Sequence, residues 1–217
     1  MIEINRYIDH TLLRATATEE DIAQLCEEAR EHSFISVCVN SGFVKFAHEN
    51  LSGTDVKVCS VIGFPLGAMS LPAKVFEAEQ AIKDGASEID MVINIGALKA
   101  RQLDKVEQEI RSIKEVIGEN LLKVIIETCY LTPEEISLAS QLAVKANADF
   151  VKTSTGFGSS GADKEAIELM KNAVAGKAKL KASGGIKNLD TALFYIELGV
   201  ERIGTSSGVS IVKEMKL

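Results

Sequence analysis

Long apolar runs, paired cysteines and basic clusters are all missing from these 217 residues, and each absence removes a class of function. The longest stretch without a charge, Val58 to Ala73, is broken by glycines and two prolines, so no segment reads as a bilayer-spanning helix. A basic-then-apolar leader is also lacking, which predicts a cytoplasmic protein. Cys26, Cys38, Cys59 and Cys129 form no CxxC pair and have no histidine at ligand spacing, which argues against structural zinc and for reduced thiols. With a formal net charge of -7 and no Arg/Lys cluster interleaved with aromatics, the chain offers nucleic acid no electrostatic footprint. An anionic small molecule stays compatible, because a local field can oppose the global charge. No GxGxxG follows the first strand, and no HExxH, EF-hand or Ser/His/Asp arrangement stands out. Neither a metal nor an organic cofactor is expected.

What is present is an ordinary globular composition, 46% hydrophobic and 25% charged with 3 prolines, and a single domain over residues 1–217 is expected. Short apolar runs alternate with longer amphipathic segments. Eight strands are predicted at Tyr7–His10, Ser36–Val39, Lys57–Ile62, Glu88–Asn94, Leu122–Glu127, Asp149–Thr153, Lys179–Ala182 and Arg202–Gly204. Helices are predicted at Thr18–His32, Gly42–Asn50, Pro72–Asp84, Lys99–Gly118, Pro133–Ala146, Asp163–Val174 and Leu189–Leu198. Thr18 before an acidic first turn and Thr132-Pro133 are helix starts, and Gly85, Gly118, Gly176 and Gly199 are stops. Strands apolar on both faces belong to a parallel sheet covered by helices, and eight such units predict a compact TIM (β/α)8 barrel, below the usual ~250 residues. An open doubly wound sheet is the competing architecture.

Barrel enzymes take their reacting groups from the carboxyl ends of strands. Here those ends offer Asp9, Asp90, Lys152 and Lys181. Alternation along a strand points Asp90, Val92 and Asn94 inward together, and likewise Phe150 with Lys152, and Lys181. Lys152 and Lys181 lie one βα unit apart, hence on adjacent strands. An amine attacks a carbonyl only when unprotonated, and a neighbouring ammonium together with desolvation favours that state. Ser183-Gly184-Gly185 and Gly204-Thr205-Ser206-Ser207-Gly208 follow the seventh and eighth strands, where barrels commonly hold phosphate on backbone amides. The alternative for the lysines is a solvated rim pairing with Asp9, Asp90 or Glu127, and for the glycines a tight turn. His10 is expected to play a minor polar role and Cys38 to be a buried, inert thiol.

Ile8-Asp9-His10-Thr11-Leu12-Leu13, Val37-Cys38-Val39-Asn40, Val61-Ile62-Gly63-Phe64-Pro65-Leu66-Gly67, Glu88-Ile89-Asp90-Met91-Val92-Ile93-Asn94, Lys123-Val124-Ile125-Ile126-Glu127-Thr128, Phe150-Val151-Lys152-Thr153-Ser154-Thr155-Gly156-Phe157 and Lys181-Ala182-Ser183-Gly184-Gly185-Ile186 resemble, in order, the deoxyribose-phosphate aldolase family. The resemblance implies a metal-free class I aldolase that reversibly cleaves 2-deoxy-D-ribose 5-phosphate to D-glyceraldehyde 3-phosphate and acetaldehyde. It implies Lys152 as the Schiff-base lysine, Lys181 as the lysine that perturbs it, Asp90 as acid/base through water, and Asp9 as the partner of Lys181. Phosphate contacts would fall on Gly184, Gly185, Gly204, Ser206 and Ser207, and the partners would be a phosphorylated sugar, acetaldehyde and further copies of the chain in a dimer or tetramer. Departures from the family pattern are Arg14-Ala15 for Lys-Pro, Asp163 for threonine, Phe157 where some members carry lysine, and Met215-Lys216-Leu217 without the terminal tyrosine of some members. Lys187 is a candidate to replace the charge missing at Phe157. A different Schiff-base barrel and a silent sugar-phosphate-binding barrel are the rival readings.

Overall fold

Runs such as Val58–Ile62 and Glu88–Val92 are buried on both faces, so their strands need neighbours on each edge and cover on each side. The computed structural model, which describes residues 2–215, meets that need by closing the sheet on itself. In chain order the elements are β1 (Ile8–Leu12), α1 (Glu19–Glu31), β2 (Ser36–Asn40), α2 (Val44–Asn50), β3 (Lys57–Ile62), α3 (Leu71–Lys83), β4 (Glu88–Val92), α4 (Ile95–Lys99) and α5 (Leu103–Ile117). They continue with β5 (Leu121–Ile125), α6 (Pro133–Lys145), β6 (Phe150–Lys152), α7 (Lys164–Val174), β7 (Lys179–Ser183), α8 (Leu189–Glu197), β8 (Arg202–Thr205) and α9 (Gly208–Met215). The strands are all parallel and β1 pairs with β8, which makes the molecule a TIM barrel.

Local chemistry sets the helix starts. Thr18 and Thr132 each form a capping box, with Asp21 and with Glu135, and Pro133 stands in the first turn of α6. Asp163, the departure from the family's threonine, caps α7 by accepting from the Ala166 N–H at 2.9 Å. Two expectations change. The helix predicted over Lys99–Gly118 starts later, as α5 at Leu103, because Arg101 adopts a left-handed φ of 57° that separates it from α4, a short helix the sequence reading lacks. Asn94, expected inside β4 and pointing inward, instead lies beyond the strand and caps α4 by accepting from the Ala97 N–H at 2.9 Å. A further helix, α9, completes the eighth unit, where the glycine-bearing run after β8 reads as loop.

The apolar core lies between barrel and helices, where Ile89, Met91, Val124, Val151, Leu180 and Ile203 pack. The barrel interior is different in kind. Its apolar cluster is Leu13, Cys38, Cys59 and Val61 under Phe64, and Val92, Ile125 and Phe150, buried and of inward parity, share the remaining space with charged side chains. Lys74, fully buried outside the barrel, braces the end of β4: its Nζ reaches Val92 O at 2.7 Å and Glu109 at 2.8 Å, and Glu109 accepts from the Asn94 N–H at 2.9 Å. That clamp holds the strand that carries Asp90.

Candidate active site

Strand register brings the charges together. Lys123 stands opposite Asp90, Lys152 opposite Lys181, Lys181 opposite Arg202, and Asp9 opposite Ser36 and Gly204. Asp90 is the hub. Its Oδ2 accepts from Lys152 Nζ at 2.7 Å and Lys181 Nζ at 2.8 Å, and its Oδ1 from Lys123 Nζ at 2.8 Å and the Cys59 thiol at 3.1 Å. Two lysines bonded to one oxygen are close neighbours, as the sequence predicts. Asp9 pairs with both Lys181 and Arg202 and accepts from Ser36 Oγ at 2.7 Å. Below them Glu88 accepts from Arg202 at 2.6 Å and meets Lys123 at 2.6 Å, an ion pair off the hydrogen-bond direction.

This interior holds four cations, Lys123, Lys152, Lys181 and Arg202, against three carboxylates, Asp9, Glu88 and Asp90. Burial alone would raise Asp9 and Asp90, but the surrounding cations win, and both carboxyls are held below their ordinary range, Asp9 chiefly by Lys181 and Asp90 chiefly by Lys123. The converse holds for two lysines. Burial disfavours the charge on Lys181 and Lys123, yet Asp9 and Asp90 raise Lys181 above an ordinary lysine, and Asp90, Glu88 and Asp9 do the same for Lys123. One positive charge is left over when every group is ionised. Deprotonation of a single lysine balances the cluster.

One of the four cations differs from the others in position. A cavity of about 380 Å³ opens at the carboxyl ends of the strands, and Lys152 is the only one of the four cations that lines it. Lys181 and Lys123 are sealed beneath, fully buried. Ser183, Gly184, Gly185, Gly204 and Ser206 line the same cavity, as do Arg14 and Lys187. Ser207 does not, and its N–H is spent on Thr205 Oγ1 at 2.9 Å. Gly204 has a second, steric role, since a Cβ there would lie 3.1 Å from Lys181 Cε and 2.9 Å from Ser183 Cβ. Gly184, at φ 87°, is packed so closely that a Cβ on Gly161 would come within 2.1 Å of its carbonyl oxygen.

Several participants escape the sequence reading. Lys123, Glu88, Arg202 and Cys59 are not among the predicted site residues, although the parity that turns Asp90 inward also turns Glu88 inward, and parity along β5 turns Lys123 inward between Leu122 and Val124. Glu127 pairs with neither active-site lysine and instead holds Thr155. His10 faces away from the barrel axis and meets Glu28 at 2.7 Å; burial lowers its pKa against the pull of that carboxylate. Cys38 is fully buried in the interior cluster. Cys38, Cys59 and Asp90 bring donor atoms within 4.8 Å of one another, but Lys123 Nζ lies 3.3 Å from the Cys59 sulfur and 2.8 Å from Asp90, so an ammonium already serves as their cation.

Comparison with known proteins agrees with this geometry. Residues 4–214 match the model of the DeoC/LacD family aldolases. A deoxyribose-phosphate aldolase of Brevibacillus brevis is 54% identical over 215 residues, covering 99% of this chain and 97% of the relative. One from Streptococcus gordonii is 56% identical over 212 residues, covering 98% and 96%. Among solved structures, an aldolase designated QR15 superposes with a TM-score of 0.96 at 44% identity, covering 100% of this chain and 97% of its own. A tetrameric deoxyribose phosphate aldolase of Aeropyrum pernix does so at 0.91 with 32% identity, covering 98% and 91%.

Proposed function

Since the chain belongs to the DeoC/LacD family of aldolases and is a carbon–carbon lyase of the deoxyribose-phosphate aldolase kind, we propose that its reaction runs through a Schiff base on Lys152. The substrate is 2-deoxy-D-ribose 5-phosphate in its open-chain form, and the cleavage is reversible. The observation that carries the assignment is that Lys152 alone of the interior cations reaches the cavity, with Asp90 and Lys181 directly behind it.

Uncharged Lys152 Nζ adds to C1 of the aldehyde, and loss of water leaves an iminium. Asp90 takes the C3 hydroxyl proton through a water, the C2–C3 bond breaks, and its electron pair passes to the iminium nitrogen as the enamine forms. D-Glyceraldehyde 3-phosphate departs. Protonation of the enamine at C2 and hydrolysis return the water, release acetaldehyde and restore the amine. Lys181, bonded to the same Asp90 oxygen as Lys152, competes for that carboxylate's field and favours an uncharged amine on its neighbour. Asp9 keeps Lys181 in place and charged.

The phosphate belongs at Gly184, Gly185, Gly204 and Ser206, with backbone amides as donors; Ser207, outside the cavity lining and with its amide occupied, drops out of the expected contact set. Arg14 and Lys187 supply positive charge at the cavity rim where Phe157 supplies none. We place the protein in the cytoplasm as a homo-oligomer, in keeping with the Aeropyrum relative and with Leu66 and Phe76 standing exposed; no helix among the described residues is long and apolar enough to cross a membrane.

Borohydride reduction in the presence of substrate, followed by peptide mapping, is expected to leave an ethyl group on Lys152. Labelling of another residue, or no labelling, overturns the assignment. A second expected result is that Lys181→Leu moves the pH–rate profile to higher pH, because without the second ammonium the charge of Asp90 favours a proton on Lys152. A profile that keeps its midpoint removes Lys181 from its role.

A further inference from the structure

Glu127 follows β5 by two residues, is 2% exposed, and adopts a left-handed φ of 55°, a conformation rare for a side chain of this size. No cation pairs with it among the described residues. Its carboxyl is turned chiefly onto the segment after β6: Oε1 accepts from the Thr155 N–H at 3.2 Å and, more distantly, from the Cys129 thiol at 3.9 Å, and Oε2 from the Thr155 hydroxyl. That hydroxyl, having given its proton to Glu127, accepts from the Phe157 N–H at 3.0 Å. Gly158 then folds back on the same group, and a Cβ there would lie 3.3 Å from Glu127 Cδ and 2.5 Å from the Cys129 sulfur. The segment so held begins three residues after Lys152. It carries Thr155 and Phe157 into the cavity wall, where the Phe157 ring meets Phe64 edge-on at 5.3 Å between centroids.

We infer that Glu127 is a positioning residue which, through Thr155, holds the Phe157 segment against Phe64 as a fixed wall of the substrate cavity. The inference rests on the proposed reading of that cavity as the aldolase site. The directionality of the chain of hydrogen bonds is its physical basis. Both carboxyl oxygens accept from Thr155, Oε1 from its N–H at 3.2 Å and Oε2 from its hydroxyl and, at 3.3 Å, its N–H, so a carboxamide with one acceptor oxygen and an NH2 either strands the hydroxyl or sets its NH2 against the Thr155 N–H, and in both cases loosens the acceptor presented to Phe157. Because Glu127 itself does not line the cavity, its replacement changes binding only through the wall it supports.

Four variants test this. Glu127→Gln and Thr155→Val are expected to raise KM for 2-deoxyribose 5-phosphate about tenfold while kcat changes less than about threefold, since Lys152, Lys181 and Asp90 keep their contacts. The Glu127→Gln/Thr155→Val double variant is expected to be no worse than the poorer single one. Chymotrypsin provides a readout independent of turnover: cleavage after Phe157 is expected to quicken about tenfold in Glu127→Gln and Thr155→Val but not in Thr155→Ser. Parental KM and parental cleavage in Glu127→Gln overturn the inference. A parent protein without aldolase turnover overturns the functional reading instead, and the cleavage rates still decide whether Glu127 holds the wall.

Discussion

Lys152→Met is expected to lower turnover by about 10⁴-fold or more and to leave the barrel as stable as before. Removal of a buried lysine from an ion cluster ordinarily exposes its partner's uncompensated charge, at about 3–5 kcal/mol. Here the charge count runs the other way. Asp90 retains Lys181 at 2.8 Å on Oδ2 and Lys123 at 2.8 Å on Oδ1, and the interior passes from four cations against three carboxylates to three against three. Methionine fills a similar volume without a charge, so the change in unfolding free energy is expected to stay within about 1.5 kcal/mol. Denaturant unfolding of parent and variant, read beside a sensitive product assay, checks both halves. A variant that is inactive because it is unfolded removes the charge-balance argument. One that is folded and active removes Lys152 as nucleophile.

The same charge count explains how a lysine can be both buried and reactive. The proposed chemistry requires the loss of one proton, which would relieve the excess positive charge, while Lys181 and Lys123 are pinned in their charged form by two or three carboxylates each. A sign check shows where this costs stability. Asp9 and Asp90 are held below their unfolded values, so their stabilisation is present above about pH 4 and is lost as pH falls further. Lys181 and Lys123 are held above theirs, and their contribution is complete below about pH 10 and is lost only above it. Between those limits the contribution of these four groups does not vary with pH.

Much of this is legible in the chain before any coordinates. Period-two alternation turns Asp90, Lys152 and Lys181 inward, and one βα unit of separation makes Lys152 and Lys181 neighbours; both follow from local pattern. The lower half of the cluster is less accessible for a definite reason. Glu88 and Arg202 are the first residues of β4 and β8, where a charge reads as ordinary polar entry to a strand, and Lys123 lies before the carboxyl end of β5 where reacting groups are sought. What unites them with Asp9 and Asp90 is the stagger of strands around a closed barrel, which sets depth along the axis and is not written in any one strand. The split of α4 from α5 escapes similarly, because only the folded chain obliges Arg101 to turn left-handed. The link from Glu127 to Thr155 spans 28 residues, and no spacing rule anticipates it.

Lys123→Met is expected to be the converse of the Lys152 variant, a large loss of stability from a lysine that never meets the substrate. Its Nζ lies 2.6 Å from Glu88, 2.8 Å from Asp90 and 3.3 Å from the Cys59 sulfur, and the side chain is fully buried. After truncation Asp90 Oδ1 keeps only a thiol, and Glu88 keeps only Arg202, which also serves Asp9. Neither carboxylate can reach water, so the penalty is that of an under-paired buried charge, about 3–5 kcal/mol, or roughly 6–20 °C in Tm for a domain of this size. Adding Glu88→Gln removes one of the two stranded charges and leaves Asp90 as the carboxylate that has lost an ammonium. The double variant is therefore expected to recover at least about 1 kcal/mol relative to Lys123→Met alone, while Glu88→Gln by itself destabilises, since it leaves both Lys123 and Arg202 short of a partner. A thermodynamic cycle over the four proteins gives the coupling directly. Additive losses would mean that Lys123 and Glu88 act independently, and that their pairing inside the barrel does not govern its stability.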